Sequence, residues 1–315
     1  MTKVTLIKKV SLINMDYNLY PWQVFRVVAR LGSVTRAAEE LSISQPAVSA
    51  HIRAVETGLG VALFERVSRR MVLNEVGQAV RDRADRVISL YEELPGVVAE
   101  AQQRVAGELV VAASSTPGTY RLPALLKKFE QRYPEVAPLP RIGSSGEVLE
   151  WLLAWQAPLG ILGEIGLPEG VEAHPFKSDQ LRLMAAGSDP LVAESQHRAL
   201  TAEDLRRRAL FVREPGSSTR AVVERLFGDQ LSGFSRLIVI PSTEAIKQSV
   251  AAGLGWAVLS TWACDWEEKA GVLTSIPDRR WRRSRRFYLV KRRDRELTGA
   301  AAQFWKMLVG TGAAS

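Results

Sequence analysis

The clearest pattern of hydrophobic and polar positions lies between Ser33 and Arg53 and predicts two short helices joined by a tight turn. In the first helix Ala37, Ala38 and Leu41 form one apolar face, and Ser33 is placed to cap its N-terminus. Ser44 is placed to cap the second helix, and Pro46 falls in its first turn, where a missing N–H has no cost. The apolar face of the second helix consists of Val48, Ile52 and Val55.

The opposite face of the second helix carries small and polar residues and ends in a cation, which is typical of a helix presented to the major groove of DNA. Gln45 has the donor and acceptor that adenine N6 and N7 require, and Ser49 is an adaptable partner. Arg53, and Arg36 from the first helix, are placed to reach phosphates. The alternative is a plain helical hairpin with a solvated polar face.

The flanking segments favour the DNA-binding interpretation. An amphipathic helix with Trp22, Phe25 and Val28 precedes the pair, and two short extended pieces around a basic turn follow it at 63–70. The whole therefore predicts a winged helix-turn-helix, with the wing arginines against the DNA backbone or in the minor groove; a solvated turn is the alternative. The predicted DNA contacts are Ser33, Thr35, Arg36, Ser44, Gln45, Pro46, Ser49, Arg53, Arg66, Arg69 and Arg70.

A heptad-like seam follows the wing and predicts a dimer. Its apolar residues recur in steps of four and three, with charged residues outside the seam. A single seam of this kind needs a partner, although a helix packed on its own domain would have the same spacing. We expect Pro95-Gly96 to interrupt the helix. The seam comprises Val80, Ala84, Val87, Tyr91 and Leu94.

From Gly107 onwards short apolar strands alternate with helices, which predicts an α/β domain with a parallel sheet. A second subdomain is expected from about Phe176, and the strand 287–290 returns the chain to the first, so that two crossings form a hinge, near 175–178 and near 283–286. Hydroxyl-rich turns follow several strands. Because ligands bind at the carboxyl ends of such strands, and helix N-termini favour anions, these turns predict a site for a small polar molecule, with an anion among the candidates. Each hydroxyl alone is better explained by ordinary helix capping, and it is their shared position at the edge of the sheet that favours a site.

These residues resemble the LysR-type transcriptional regulators over nearly the whole chain. The N-terminal match consists of Ala37-Ala38-Glu39, Ser44 to Ser49, Ile52, Glu56, Leu59-Gly60, Leu63 to Arg66 and Leu73 to Gly77. The C-terminal match, to the periplasmic-binding-protein-like effector domain of that family, consists of Ser114-Ser115-Thr116, Arg213 to Ser217, Glu244 to Lys247 and Gly253 to Gly255. Three departures stand out: Asn74 and Val76 replace the usual Thr and Ala, Ala50 replaces a frequent cation, and 154–159 lacks the usual Gly and Asp.

The resemblance implies a homodimer or tetramer, with antiparallel linker helices, that binds double-stranded DNA. It also implies that a small-molecule effector of unknown identity changes DNA bending and contact with RNA polymerase, without a cofactor or a metal. The effector contacts that it implies are Ser114, Ser115, Thr116, Ser144, Ser145, Glu164 and Ser217. The implied organisation is an N-terminal arm (1–16), an α-rich winged helix-turn-helix domain (17–75), a linker helix (76–106) and an α/β effector domain (107–315) of two Rossmann-like subdomains (107–176 with 285–315, and 177–284).

Composition agrees with this interpretation. The chain has 315 residues and a net charge of +8, which suits a polyanionic partner. A single cysteine, Cys264, indicates a reducing compartment, and the absence of a long apolar run argues against a membrane span, so a cytoplasmic location is expected. The basic segment before Met15 lacks the features of a signal peptide; it is either a flexible arm or the product of an upstream start codon.

Two other classes of function fit less well. An enzyme is disfavoured because His51, His174 and His197 lack ligand spacing, Cys264 has no evident His partner and the turn at 216–219 lacks the Lys of a phosphate loop. A transport or sensing protein would need an export signal and no winged helix. The basic run Arg279 to Arg286 is expected to be solvated, with DNA or an acidic protein face as alternatives. Trp256, Trp262, Trp266 and Trp281 are expected in the core or an interface.

Overall fold

The computed structural model describes residues 18–68 and 70–312, which form two compact units, Met1–Leu94 and Pro95–Ser315. The predicted N-terminal arm with its alternative starts Met1 and Met15, and the predicted DNA contact Arg69, lie outside the described residues. No helix of the described part is long and apolar enough to cross a membrane.

The first unit is a three-helix core with a β-hairpin. Ser33 and Ser44 accept hydrogen bonds from the backbone N–H groups of Arg36 and Ala47, so both predicted caps are present. Val48, Ile52 and Val55 lie in a core with Val24 and Phe25, as their spacing predicts. The elements are α1 (Tyr20–Leu31), α2 (Val34–Leu41), α3 (Gln45–Leu59), β1 (Phe64–Val67), β2 (Arg70–Leu73) and α4 (Glu75–Ala101).

Helix α4 continues through Pro95 and Gly96 to Ala101, so the predicted interruption is wrong. A proline inside a helix removes one N–H bond at a cost of about 3 kcal/mol. Tertiary contacts of the last turns offset this cost: Ala99 is buried, and the Glu100 carboxylate accepts a hydrogen bond from the Gly299 N–H at 3.0 Å.

The predicted seam on α4 divides into two parts. Val80 and Ala84 pack against the core of the first unit. Val87, Tyr91 and Leu94 are 52%, 57% and 52% exposed, so these residues form an uncovered apolar stripe in the chain described. Part of the periodicity is therefore explained by packing within the unit.

The second unit is built on one nine-stranded mixed sheet whose order is β4-β3-β5-β11-β6-β9-β7-β8, with β10 beside β6. β3 is parallel to β4 and β5, and β7 is parallel to β8 and β9, as the alternating pattern predicts. The elements are β3 (Gly107–Ser114), α5 (Ser115–Tyr120), α6 (Leu122–Arg132), β4 (Val136–Gly143), α7 (Ser145–Leu153), β5 (Leu159–Gly163), β6 (Val171–Ala186), α8 (Pro190–Ser195), α9 (Ala202–Arg206), β7 (Ala209–Val212), α10 (Ser218–Phe227), β8 (Arg236–Val239), α11 (Thr243–Ala251), β9 (Trp256–Ser260), α12 (Thr261–Lys269), β10 (Leu273–Ser275), β11 (Arg282–Arg292) and α13 (Gly299–Gly312), with 3-10 turns at Gly228–Gly233 and Arg279–Trp281.

The two crossings between the subdomains are long strands rather than loops. β6 and β11 pair antiparallel from Arg182 opposite Arg282 to Val171 opposite Arg292, with one irregularity between Arg286 and Tyr288. β11 also pairs with β5 of the first subdomain, and β6 pairs with β9 of the second. The pattern of the sequence identified only the most apolar parts of these strands, because their central residues are charged.

A buried ion pair holds the crossing strands together. Arg285 lies directly opposite Asp179, and both side chains are almost fully buried, at 1% and 0% exposed. The basic run is therefore not uniformly solvated as expected, because Arg285 points into the protein while Arg283 and Arg286 are exposed.

The tryptophans take different positions. Trp256 and Trp281 belong to the core of the second subdomain, whereas Trp266 is 82% exposed in this chain and is not part of the core. Trp155 has a positive φ of 58°, a conformation that favours glycine, and its buried ring contacts the guanidinium of Arg292 at 4.6 Å. Trp155 thus has a left-handed backbone conformation in the segment where the LysR-type pattern has glycine.

Candidate functional site

The first candidate site is the exposed face of α3. Gln45, Pro46, Ala50 and Arg53 are exposed, while Val48 and Ile52 on the same helix are buried. Among the described residues the guanidinium of Arg53 contacts no carboxylate, so its charge is available to an anionic partner. Of the remaining predicted contacts, Thr35, Arg36, Ser44, Arg66 and Arg70 are exposed and Ser33 and Ser49 are half-buried.

The wing is fixed to the helices by Glu56, Asn74 and Gly77, which sequence patterns identify only as part of the family resemblance. The Glu56 carboxylate accepts the N–H groups of Leu63 at 2.8 Å and Phe64 at 3.3 Å. Asn74 donates from its amide to the carbonyl of Ala62 and accepts the Gly77 N–H at 2.8 Å, so this departure from the usual Thr still caps α4. A Cβ on Gly77 would lie 2.1 Å from the Leu63 carbonyl oxygen, so only glycine fits there.

The second candidate site is a cleft of about 660 Å³ between the two subdomains of the second unit. It lies where the carboxyl ends of β3, β4 and β7 meet the helices that follow them, as expected for a sheet of this type. Hydroxyl groups, one guanidinium and several carboxylates line it. The polar and charged lining residues are Ser115, Thr119, Tyr120, Ser144, Glu147, Glu150, Arg213, Glu214, Ser242, Thr243 and Glu244.

Arg213 organises this cleft. Its side chain is 4% exposed and makes a bidentate pair with Glu214, with both N···O distances 2.7 Å. The same guanidinium donates to Thr243 Oγ1 at 2.7 Å and to Ser115 Oγ at 3.0 Å, so it joins the second subdomain to the first. The sequence contains the signal for this residue, because Arg213 comes directly after the buried strand β7.

Two further contacts cross the cleft. The Gly146 N–H donates to the carbonyl of Gly216 at 3.1 Å, and the Tyr120 hydroxyl donates to the Glu244 carboxylate. Burial, together with the neighbouring Glu244, raises the pKa of Tyr120 above its usual range, so the hydroxyl stays a donor. Polar contacts at the cleft thus join the two subdomains, in addition to the crossing strands.

The structure brings some of the predicted effector residues to the cleft and not others. Ser115 and Ser144 line it, and Ser144 forms a capping box with Glu147. Ser114 and Ser145 are buried, and within the described part of the chain their hydroxyls have no hydrogen-bond partner. Ser217 caps α10, Thr116 accepts a hydrogen bond from Arg285, and Glu164 is exposed on the turn after β5, outside the lining.

Metal-ligating side chains and the single thiol are the remaining candidate groups for a site. No group of three or more His, Cys, Asp or Glu side chains among them has the geometry of a metal site. Cys264 is fully buried, and burial raises the pKa of its thiol to about 12, so the reactive thiolate is not formed.

Comparison with known proteins assigns a family description to each unit. Residues 20–78 match "Bacterial regulatory helix-turn-helix protein, lysR family", and residues 102–313 match "LysR substrate binding domain". The HTH-type transcriptional activator CmpR of Synechocystis sp. (strain ATCC 27184 / PCC 6803 / Kazusa) is 33% identical over 286 residues, which cover 91% of this chain and 93% of CmpR.

Solved structures show the same fold. Full-length CbnR in complex with its target DNA matches with a TM-score of 0.62 and 23% identity, over 93% of this chain and 99% of CbnR. The regulatory domain of CcmR from Synechocystis PCC6803, in complex with 2-PG, matches with a TM-score of 0.57 and 26% identity, over 65% of this chain and 97% of that domain.

Proposed function

This chain belongs to the LysR family of transcriptional regulators, and we propose that a small polar effector bound in the cleft of its second unit switches how its helix-turn-helix contacts DNA. The family makes the chain a DNA-binding regulator with an effector domain, and not an enzyme. The proposed binding of a small polar effector rests on the cleft at Arg213, because polar groups from both subdomains line it.

The DNA contacts are assigned to the exposed side of α3 and to the wing. Gln45 and Ser49 are positioned near the N-terminus of α3, where a recognition helix meets base edges, and Arg53 lies two turns further on. Arg36, Arg66 and Arg70 are exposed and suit phosphate contacts. Ala50, also exposed, cannot donate to a phosphate from its side chain, so contacts at this position differ from those of relatives with a cation there.

The charges of the cleft restrict the chemistry of the effector. Arg213, although paired with Glu214, and the N-terminus of α7, although capped by Glu147, are the groups of the cleft that favour an anionic end of a ligand. Glu147 and Glu150 are exposed in the same cleft and favour hydrogen-bond donors or a positive charge. An effector with a single negative charge uses only part of this site, so a ligand that carries both an acceptor end and a donor end fits it best.

A homodimer is proposed through the exposed apolar stripe of α4. Val87, Tyr91 and Leu94, together with Leu90 at 48% exposed, present an uncovered surface on one helix. Such a stripe is stable in water when a second copy covers it. A dimer would place two recognition helices in successive major grooves, and contact with RNA polymerase would follow from the altered DNA path.

The switch requires that the effector bind two arrangements with different affinity. The contacts across the cleft, from Arg213 to Ser115 and from Gly146 to Gly216, are the groups that a ligand between the subdomains would replace or strengthen. The relative position of the subdomains would change with them, and this change would be transmitted to the DNA-binding units of the oligomer.

A gel-shift experiment tests the DNA contacts. A duplex selected from a random library by the full-length protein is titrated with the wild type, with the double variant Gln45→Ala, Arg53→Ala and with the matched control Gln78→Ala, Arg83→Ala, whose residues are exposed on α4. Loss of a bidentate base contact and a phosphate contact predicts at least a tenfold weaker complex for the first variant, and a steep salt dependence for the wild type. Equal affinity of the two double variants would show that α3 does not read this DNA.

The cleft is tested separately with Glu150→Gln and with the exposed control Glu130→Gln on α6. A thermal-shift screen of small metabolites on the full chain is expected to find a ligand that stabilises the wild type and the control but stabilises Glu150→Gln less. A ligand that acts equally on all three, or one that leaves the footprint on DNA unchanged, would argue against this effector site.

A further inference from the structure

A second cavity, of about 510 Å³, lies at the hinge of the second unit and shares no lining residue with the effector cleft. Its lining comes from both crossing strands and from both subdomains. The residues are Arg121, Pro175, Phe176, Lys177, Ser178, Trp262 and Arg286.

Three of these residues are cations and none is acidic. Within the part of the chain that the structure describes, no carboxylate lies within 4.0 Å of the side-chain nitrogens of Arg121, Lys177 or Arg286. The nearby Asp179 does not neutralise them, since it is buried and paired with Arg285. Like charges around one cavity repel each other, and a bound anion converts this repulsion into attraction.

The local structure sets the backbone positions of Lys177 and Arg286 and orients the side chain of Arg121. Ser178 and Arg286 are direct partners in the pairing of β6 with β11, and the irregularity beside them sets Phe176 and Lys177 opposite the single residue Phe287. Such bulges commonly re-aim side chains next to functional sites. Arg121 lies with its guanidinium 4.4 Å from the ring centre of Trp262, and the same ring stacks on Phe287 at 5.0 Å and 24°.

The two contacts of Trp262 also limit what the cavity can hold. Arg121 and Phe287 both lie against its ring, so a planar ligand gains little by stacking there. The remaining polar groups are cationic side chains and the Ser178 hydroxyl, all of which donate hydrogen bonds to an anion.

We propose that this hinge cavity is a second anion site, separate from the effector cleft, and that it binds a small phosphate-bearing molecule. Arg121 lies in the first subdomain, Trp262 in the second, and Lys177 and Arg286 lie on the strands that connect them. A ligand with several negative oxygens therefore contacts both subdomains and both hinge strands at once, which gives the chain a second input independent of the cleft.

Calorimetric titration of the full-length protein with inorganic pyrophosphate tests the site. The pocket variant is Lys177→Gln, Arg286→Gln, and the matched control is Lys128→Gln, Arg283→Gln, which removes two exposed charges of the same types outside the cavity. We expect one saturable site in the wild type, at least tenfold weaker binding in the pocket variant and a change of less than twofold in the control. The single variant Lys177→Gln, expected to bind about threefold more weakly or worse, serves if the double variant does not fold.

Three outcomes of the titration would overturn the proposal. If the wild type shows no saturable binding of pyrophosphate at millimolar concentrations, the cavity is not a phosphate site. Equal weakening in the pocket variant and the control assigns the effect to general charge. Unchanged binding in the pocket variant places the anion elsewhere, including in the effector cleft.

The DNA affinity of the same variants distinguishes a free phosphate-bearing molecule from the phosphates of the DNA backbone as the ligand of the cavity. If the cavity binds a free small molecule, the two double variants bind the selected duplex with the same affinity. If the pocket variant loses DNA affinity more than tenfold relative to the control while pyrophosphate binding is retained, the cavity contacts the DNA backbone and the small-ligand proposal is wrong.

Discussion

Replacing Arg285 by methionine is expected to destabilise the second unit severely. The guanidinium uses all three of its nitrogens. Nε and Nη2 donate to Asp179 Oδ2 at 3.0 and 2.8 Å, Nη2 also donates to Thr116 Oγ1 at 3.0 Å, and Nη1 donates to Thr219 Oγ1 at 2.8 Å. Methionine fills a similar volume but supplies none of these bonds, so the buried Asp179 carboxylate loses its counter-charge.

The size of the effect follows from the burial of the pair. Exposed ion pairs contribute about 0–1 kcal/mol, whereas removal of one partner of a buried pair costs about 3–5 kcal/mol because the other charge remains without compensation. Among the described side chains, Asp179 would keep the hydroxyls of Ser260 at 3.0 Å and Thr261 at 3.5 Å and no cation. For a domain of this size a loss of 3–5 kcal/mol corresponds to a Tm that is lower by roughly 6–20 °C.

The assay is thermal and urea unfolding of the full-length protein, followed by tryptophan fluorescence, which reports on the buried Trp256 and Trp281. Arg283→Met is the matched control, since this residue lies on the same strand but is exposed. We expect the control to stay within about 1 kcal/mol of the wild type. A loss of less than about 1 kcal/mol for Arg285→Met would refute the argument, because the pair would then behave as an exposed one.

A double variant separates the pair from general damage to the hinge. In Asp179→Leu, Arg285→Met both charges are gone, and apolar replacement of a buried pair is often neutral. The loss of unfolding free energy in the double variant is therefore expected to be smaller than the sum of the two single losses by about 2 kcal/mol or more. Additive losses would show that the two side chains do not stabilise each other.

Three further outcomes follow from the packing of particular residues. Gly77→Ala forces a Cβ towards the Leu63 carbonyl and should cost about 2–3 kcal/mol in the first unit. Gly58→Ala, inside α3 with open space around it, should be neutral or stabilise by up to about 1 kcal/mol. Similar urea midpoints for the two variants would contradict the clash. Burial raises the pKa of Asp85 from 3.8 to about 6, so the destabilisation caused by its buried charge is absent below about pH 4 and complete above about pH 6. Asp85→Asn should therefore stabilise the protein by about 1–2 kcal/mol at pH 8 and by nothing measurable at pH 4. An equal gain at both pH values would exclude the buried charge as the cause. Cys264, fully buried with a thiol pKa raised to about 12, should react with a thiol reagent only as fast as the second unit unfolds, and rapid labelling of the native protein would show that the site opens locally.

The DNA-binding unit is the part that sequence patterns predict best. Capping by Ser33 and Ser44 and the spacing of Val48, Ile52 and Val55 are local signals, and each is realised in the structure. The continuation of α4 through Pro95 was not predictable in the same way, because the contacts that hold its last turns, such as Glu100 with Gly299, join residues far apart in the chain.

The effector unit shows the same division between local and distant signals. The hydrophobic pattern predicts short apolar strands such as β5 and β9. It does not predict the full length of β6 and β11, the two longest strands, because their central residues are charged. Asp179 and Arg285 looked like surface residues in the sequence, since nothing local shows that each is the other's counter-ion across an antiparallel pair. Arg213 could have been identified from its place after β7, whereas its bond to Ser115 depends on how the two subdomains meet.

The buried network at the hinge gives the cleft at Arg213 a physical connection to the crossing strands. Ser115 lines the cleft, and the next residue, Thr116, accepts a hydrogen bond from Arg285. Gly216 lies in the cleft near the N-terminus of α10, whose residue Thr219 also accepts a bond from Arg285. A ligand that shifts α5 or α10 by a fraction of an ångström must therefore lengthen or replace a charge-assisted hydrogen bond in a buried, closely packed region, where intermediate positions are unfavourable. For this reason we expect the hinge to pass between discrete arrangements, as a regulator with two states requires, rather than to deform continuously as the cleft fills.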